Sequence, residues 1–206
     1  MPKEVYEIND LIRGSVKIDG ALLGDFVIMK SDGNPSYNFA VVVDDIQMAI
    51  THVIRGEDHI SNTPKQIAIF NALNQPIPKF AHLPMILGPD KSKLSKRHGA
   101  TNVIDYKAQG FLPEALLNYL ALLGWTPKDN QEILSIPELI DQFDIQNINK
   151  SNAIFDIQKL KWMNSQYIKK MPTEHLKTEI EPFLSEPFHN AFESYTSNQQ
   201  LSMLDC

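Results

Sequence analysis

A chain of 206 residues, 43% hydrophobic and 21% charged, has the balance of an ordinary globular protein with length for one sizeable core or two small ones. Its formal net charge of −6 argues against non-specific coating of nucleic acid, and no apolar run reaches the roughly 18 residues that a membrane span requires. The only cysteine, Cys206, rules out an intramolecular disulfide or a cysteine-based zinc cluster within the chain; with no basic and apolar leader in "MPKEVYEIND", a reducing, cytoplasmic setting is expected, an organellar one staying open.

In chain order the first texture is α/β. "DFVIMKSDGNPSYNF" predicts a strand over Asp25–Lys30, a turn on Asp32-Gly33-Asn34-Pro35 and a second apolar segment. "FAVVVDDIQMAI" stays open between strand and helix, because the valine run favours a strand while Asp44-Asp45 interrupts one. "THVIRG" is a short β-branched run stopped by Gly56, and "NTPKQIAIFNALN" predicts a helix with Pro64 in its first turn and Ile67, Phe70 and Leu73 on one side. "KFAHLPMILG" supplies a further strand ending at Gly88, so residues 51–88 read as a βαβ unit with a right-handed crossover. In open α/β sheets ligands bind beyond the carboxyl ends of the strands, and "GPDKSKLSKRHGA" leaves from such an end.

After residue 100 the pattern is helical. Pro113 opens "PEALLNYLALL" and Gly124 closes it, Ser135–Glu138 forms a capping-box pattern, Asp156 caps "FDIQKLKWMN", and "TEHLKTEIEPFL" runs as helix until Pro182. This half is expected to be all-α.

Residues 88–100 place Lys91, Lys93, Lys96 and Arg97 close together in an otherwise acidic chain. Ammonium groups on a glycine-bounded loop suit a polyphosphate, and Ser95 adds a hydroxyl donor. A cation about 4 Å from a phosphate charge gains on the order of 4 kcal/mol at an effective dielectric near 20. Taken alone, such a run reads first as a solvated surface loop. It is not a Walker loop, since G-x-x-x-x-G-K-[ST] is absent. His52, His59, His82 and His98 show no H-x-x-x-H spacing and read as structural or surface residues, so no metal site is assigned.

The order of residues in this loop says more. "KLSKR", Lys93–Arg97, resembles the KMSKS signature of class I aminoacyl-tRNA synthetases, with Leu94 for Met and Arg97 for the last Ser. Together with "KSDGNPSYNFAVVVDD", "THVIRGEDHISNTPKQIAIFNALN" and "GFLPEALLNYLALLGW", it is similar to one continuous stretch of the bacterial-type glutamyl-tRNA synthetases, from about residue 8 to 170. The resemblance implies the second half of a Rossmann-like nucleotide-binding domain, followed by an all-α stem-contact region. It gives Lys96, Lys93 and Ser95 a catalytic role on the triphosphate of ATP, with Arg97 nearby. Met85 and Ile86 would offer backbone groups to adenine, and Gly56 and Asp58 would lie near the ribose. Arg55 would receive the glutamate side-chain carboxylate, for which a planar fork suits a planar anion, and Tyr37 would contact the same substrate.

The partners so implied are glutamate, ATP accompanied by Mg²⁺, and tRNA, with no membrane, in a full-length enzyme that is a monomer. Residues 1–24 correspond to the end of the acceptor-binding insertion, 25–99 to the second half of the catalytic domain and 100–165 to the stem-contact region. Residues 166–206 begin a helical anticodon-binding region or an irregular tail. Nothing matches the family's HIGH-type motif, so a portion of the ligase is expected, inactive by itself. Two further readings stand beside it: glutaminyl-tRNA synthetase, which Arg55 argues against because a cation suits a carboxylate, and a non-catalytic tRNA- or partner-binding module derived from the synthetase. A shortened paralogue that glutamylates a tRNA base fits less well with a helical half extending through "FDIQKLKWMN".

Overall fold

The computed structural model describes residues 5–99 and 102–184, with isolated positions between 189 and 200. Ala100, Cys206 and much of the expected 166–206 tail lie outside the described residues.

The described chain starts with an antiparallel hairpin, β1 (Val5–Asp10) and β2 (Gly14–Asp19), with Val5 opposite Asp19 and Asp10 opposite Gly14. Asp10 Oδ1 accepts from the N–H groups of Ile12 and Arg13 at 2.9 and 2.8 Å, and Gly14 takes a φ of +77°, which closes the turn without a β-carbon clash. Leu11 N–H donates to Phe80 O at 2.9 Å and fastens the hairpin to the next sheet, where Ile8, Ile67 and Phe80 pack together.

The strand expected over Asp25–Lys30 does not form. That segment holds a single bridge, Met29 to Pro35, across the Asp32–Gly33 turn, and Val27 is 66% exposed. The turn closes through Lys30 N–H to Asn34 O and Ser36 N–H to Ile28 O, and the described residues include no neighbouring strand to extend the pairing. The undecided "FAVVVDDIQMAI" is helical: α1 (Tyr37–Gln47) sets Phe39, Val42 and Ile46 against Ile69 and Phe70, and leaves Asp44 exposed. A 3.6-residue period serves these valines because one apolar face suffices, whereas a strand here would bury an aspartate.

The βαβ unit is present. Parallel strands β3 (His52–Gly56) and β4 (Lys79–Leu83) pair from His52 opposite Lys79 to Gly56 opposite Leu83, and α2 (Thr63–Ala72) connects them after a 3-10 turn over Glu57–Asn62. On α2 the buried side chains include Ile67, Ile69 and Phe70, while Leu73, expected on that face, is exposed at the helix end. The second strand stops at Leu83 rather than Gly88, because Pro84 has no N–H to add to the ladder. The chain resumes as β5 (Ile86–Leu87), which pairs with β6 (Ala153–Ile154) and not with β3.

β6 also corrects the expectation of a wholly helical second half. The α-helices of that half among the described residues are α3 (Val103–Ala108), α4 (Pro113–Gly124), α5 (Ile136–Gln142), α6 (Ile157–Lys170) and α7 (Thr173–Ile180). The capping box forms, with Ser135 N–H donating to Glu138 Oε2 at 2.7 Å, and Asp156 accepts from Gln158 and Lys159 N–H at 2.8 and 3.2 Å. Tyr106, Phe111, Leu116, Tyr119, Leu160 and Met163 build the helical core, where each fully buried large side chain is worth about 1.5–3 kcal/mol. Ile12, Ala81 and Ile148 pack as one cluster, so hairpin, sheet and helical half share apolar contacts.

Candidate active site

Arg55 stands near the carboxyl end of β3, where the parallel register sets it opposite His82 of β4. Its Nε donates to His82 Nε2 at 3.2 Å, and its Nη2 reaches Thr63 Oγ1 and Gln66 Oε1, both at 2.8 Å. The guanidinium carbon sits 5.5 Å from the centre of the Phe80 ring. Behind it, Asp10 Oδ2 lies 2.6 Å from His82 Nδ1, and both side chains are fully buried. Burial pulls the Arg55 pKa down, opposed by Tyr37, Asp45 and Asp10, and burial raises the Asp45 carboxyl against the pull of Arg55. No hydrogen bond to the described residues uses Arg55 Nη1. Tyr37, 55% exposed at the start of α1, places its hydroxyl 3.4 Å from His59 Nδ1.

The basic loop is an ordered hairpin. Leu94 N–H donates to Ile86 O and Gly88 N–H to Ser92 O, so the loop folds back on β5. Asp90 organises its tip by accepting from Ser92 N–H and Oγ at 3.0 and 2.7 Å, from Arg97 Nη2 at 3.2 Å and from His98 Nε2 at 3.2 Å. The Ser92 hydrogen bonds hold its carboxyl well below the usual carboxylate range. Ser95 N–H donates to His98 Nδ1 at 3.1 Å, and the His98 ring packs so closely on Gly88 that a β-carbon there would meet it at 2.8 Å.

The four cations are thus distinguished by their partners. Arg97 is turned back onto Asp90, and Lys93 Nζ pairs with Asp58 Oδ2 at 2.7 Å. Lys96 and Lys91 are exposed and make no ion pair with the described residues.

The same geometry qualifies the expected nucleotide contacts. The space beside Gly56 is taken by Asp58, whose Oδ1 would lie 2.6 Å from a β-carbon, so this glycine admits a side chain of its own chain. Met85 N–H is bonded to Glu57 Oε1 and Asn152 Oδ1, Met85 O accepts from Ala153 N–H, and Ile86 O accepts from Leu94 N–H. An apolar groove of about 590 Å³ between α4, α5 and β5 is lined, among the described residues, by uncharged and mainly apolar side chains, a poor match for a polyphosphate or a dicarboxylic amino acid. No group of His, Cys, Asp and Glu among the described residues is arranged to hold a metal ion.

Residues 1–162 match the family model described as "tRNA synthetases class I (E and Q), catalytic domain". The chain belongs to this family. It is 56% identical over 173 residues to a glutamate–tRNA ligase of Francisella philomiragia, a match covering 84% of this chain and 37% of the relative. It is 55% identical over 179 residues to the glutamate–tRNA ligase of Heliobacterium modesticaldum, covering 87% and 36% respectively. The crystal structure of the glutamate–tRNA synthetase of Elizabethkingia anophelis superposes with a TM-score of 0.85 at 35% identity, over 100% of this chain and 45% of that one. This synthetase chain therefore spans less than half the length of these relatives, and its mixed α/β fold with parallel strands is that of a class I catalytic domain.

In this synthetase chain the fold brings Arg55 and Tyr37 to one region through His59, whose backbone O accepts from Arg55 Nη2 at 3.4 Å, and brings Lys93 to Asp58. Reading the sequence missed Asp10, Thr63, Gln66 and the pair Arg13–Glu57. Arg13 binds Glu57 and also donates to Lys150 O at 2.8 Å, tying the hairpin to both halves. The available signal was polar residues inside apolar runs, His82 in "KFAHL" and Gln66 in "KQIAIF".

Proposed function

We infer that this chain is the section of a glutamate–tRNA ligase that supplies the substrate-carboxylate receptor and the basic loop acting on ATP. The observation that carries this reading is Arg55: its Nε and Nη2 are fixed by His82, Thr63 and Gln66, its Nη1 makes no hydrogen bond to the described residues, and Tyr37 stands nearby. A guanidinium held this way meets a carboxylate at little entropic cost. In the reaction, an α-carboxylate oxygen of glutamate attacks the α-phosphorus of MgATP and pyrophosphate leaves. The tRNA 3′-end hydroxyl then attacks the acyl carbon and AMP leaves. Lys96 and Lys93, with Ser95 and Arg97, neutralise the charge that grows on the leaving pyrophosphate. Lys93 must first exchange Asp58 for phosphate. Asp58 is then released beside Gly56 to meet the ribose, and Met85 and Ile86 would offer adenine backbone groups that here bond within the chain.

Residues 1–24 are assigned to the end of the acceptor-binding insertion, 25–99 to the catalytic half-domain, 100–165 to the stem-contact region and 166–206 to the start of the helical anticodon-binding region or an irregular tail. The α4–α6 portion follows the tRNA through phosphate contacts, which makes its binding salt-sensitive.

The test replaces the matching segment of the Francisella philomiragia ligase with these residues. The graft should catalyse glutamate-dependent pyrophosphate exchange, and Arg55→Ala should raise its glutamate KM by on the order of 10²-fold, as loss of a charged hydrogen bond predicts. The 206-residue chain alone should show no exchange. An active graft indifferent to Arg55→Ala would remove Arg55 from the pocket, and an inactive but folded graft would favour a non-catalytic binding module.

A further inference from the structure

The Asp10–His82–Arg55 chain has an internal logic that fixes the state of each group. Asp10 Oδ1 accepts from three backbone donors, Ile12 and Arg13 at 2.9 and 2.8 Å and His82 at 3.2 Å, which leaves Oδ2 for His82 Nδ1 at 2.6 Å. A carboxylate only accepts, so Nδ1 carries the proton. His82 Nε2 faces Arg55 Nε at 3.2 Å, and a guanidinium only donates, so Nε2 must be bare. An imidazolium here would set N–H against N–H and one cation against another, without water to screen them. Two flanking groups are fixed as well. Gln66 turns its Oε1 to Arg55 because its Nε2 donates to Asn38 Oδ1 at 3.2 Å, and Phe80 stacks on His82 with ring centres 6.1 Å apart.

The Asp–His–hydroxyl order, with Thr63 Oγ1 3.1 Å from His82 Nε2, superficially resembles a nucleophilic triad. Thr63 is completely buried and its oxygen already accepts from Arg55, so no substrate reaches it.

We propose that His82 is a positioning residue for Arg55: Asp10 locks its proton on Nδ1, and the bare Nε2 then fixes the guanidinium so that Nη1 alone projects toward the substrate. The carboxylate preference of the pocket is thereby set partly by Asp10, on a hairpin outside the βαβ unit. The substrate part of this inference rests on the role proposed for Arg55, while the tautomer and the orientation stand on the distances alone.

Asp10→Asn tests the arrangement. The backbone donors would keep the amide oxygen at the Oδ1 position, so the amide NH₂ faces Nδ1 and forces the proton to Nε2, against Arg55 Nε. In ¹⁵N-labelled 206-residue protein near pH 7, His82 should show a protonated Nδ1 and a bare Nε2, with a protected Arg55 Nε–H resonance. Asp10→Asn should reverse the tautomer and speed exchange of Arg55 Nε–H by about tenfold, the equivalent of losing one hydrogen bond. His82→Gln, which retains an acceptor, should keep most of the protection. Finding His82 protonated on Nε2 in the unsubstituted chain overturns the proposal even if the variants do not fold. So does a reversed tautomer that leaves Arg55 Nε–H equally protected. The Arg55→Ala assay in the graft separates the two levels, because its failure would remove the carboxylate role and leave the NMR result standing.

Discussion

Lys93 Nζ lies 2.7 Å from Asp58 Oδ2, joining the basic loop to the turn that follows β3. Both side chains are substantially exposed, so the pair is a weak latch that salt screens and that a polyphosphate can displace. It sets Lys93 apart from Lys96, which is exposed and has no ion-pair partner among the described residues.

Lys96 therefore offers a clean separation of function from stability. Lys96→Ala should leave the melting temperature of the chain unchanged and lower pyrophosphate exchange in the graft by on the order of 10²-fold, the scale of one preorganised charge on a transition state. Calorimetry and exchange kinetics on the same variant check it. A matching fall in stability would mean that Lys96 holds the loop together.

Gly88→Ala should disorder the loop locally. The new methyl would sit 2.8 Å from His98 Cδ2 and Nε2, and the displaced ring would lose Ser95 N–H and Asp90 together. Hydrogen exchange should rise across residues 88–98 while the helical core keeps its protection. Unchanged exchange in the loop would show that the ring moves aside freely.

The buried pair should give stability a pH dependence. Burial pushes the His82 pKa below 6.5, with Asp10 opposing and Arg55 and Arg13 reinforcing the shift. The unfolded chain then binds the extra proton first, so this contribution is complete above about pH 6.5 and is lost as pH falls from there through the lower folded value. Asp10 adds a second, more acidic phase: burial raises its pKa, but hydrogen bonds from Arg13, His82 and Ile12 outweigh that and hold it below 3.8. Its contribution is present above about pH 3.8 and disappears below. Thermal melts from pH 8 to 5 should fall less steeply in His82→Gln than in the parent chain. Identical slopes would assign the effect to other groups.

Asn164 is a structural counterpart in the helical half. Its Oδ1 accepts from Leu112 N–H at 2.8 Å and its Nδ2 donates to Gly110 O at 3.1 Å, clamping the connection between α3 and α4 onto α6. Asn164→Ala leaves those groups unpaired and should cost about 1–3 kcal/mol in denaturant unfolding. A smaller loss would indicate that water replaces the side chain.

The sequence by itself determined the local features: the Ser135 and Asp156 caps, the Asp32–Gly33 turn, the β–α–β order of residues 51–88 and the clustering of cations after Gly88. These depend on neighbours within a few residues, where the chain's own hydrogen-bonding and steric rules act. Its resemblance to the synthetases carried the family, because an ordered run of motifs is specific even when each is short. Only the tertiary structure decided which apolar runs are strands. Among the described residues 25–30 have no partner strand, 37–47 found a helix face to bury, and Pro84 split one expected strand into two with different neighbours. It also decided which cations are paired among the described residues, and it placed Asp10 behind His82 across 72 residues of chain. Charge pairs and buried hydrogen bonds depend on distance in space, and strand register, which set Arg55 against His82, is fixed only when two remote segments meet.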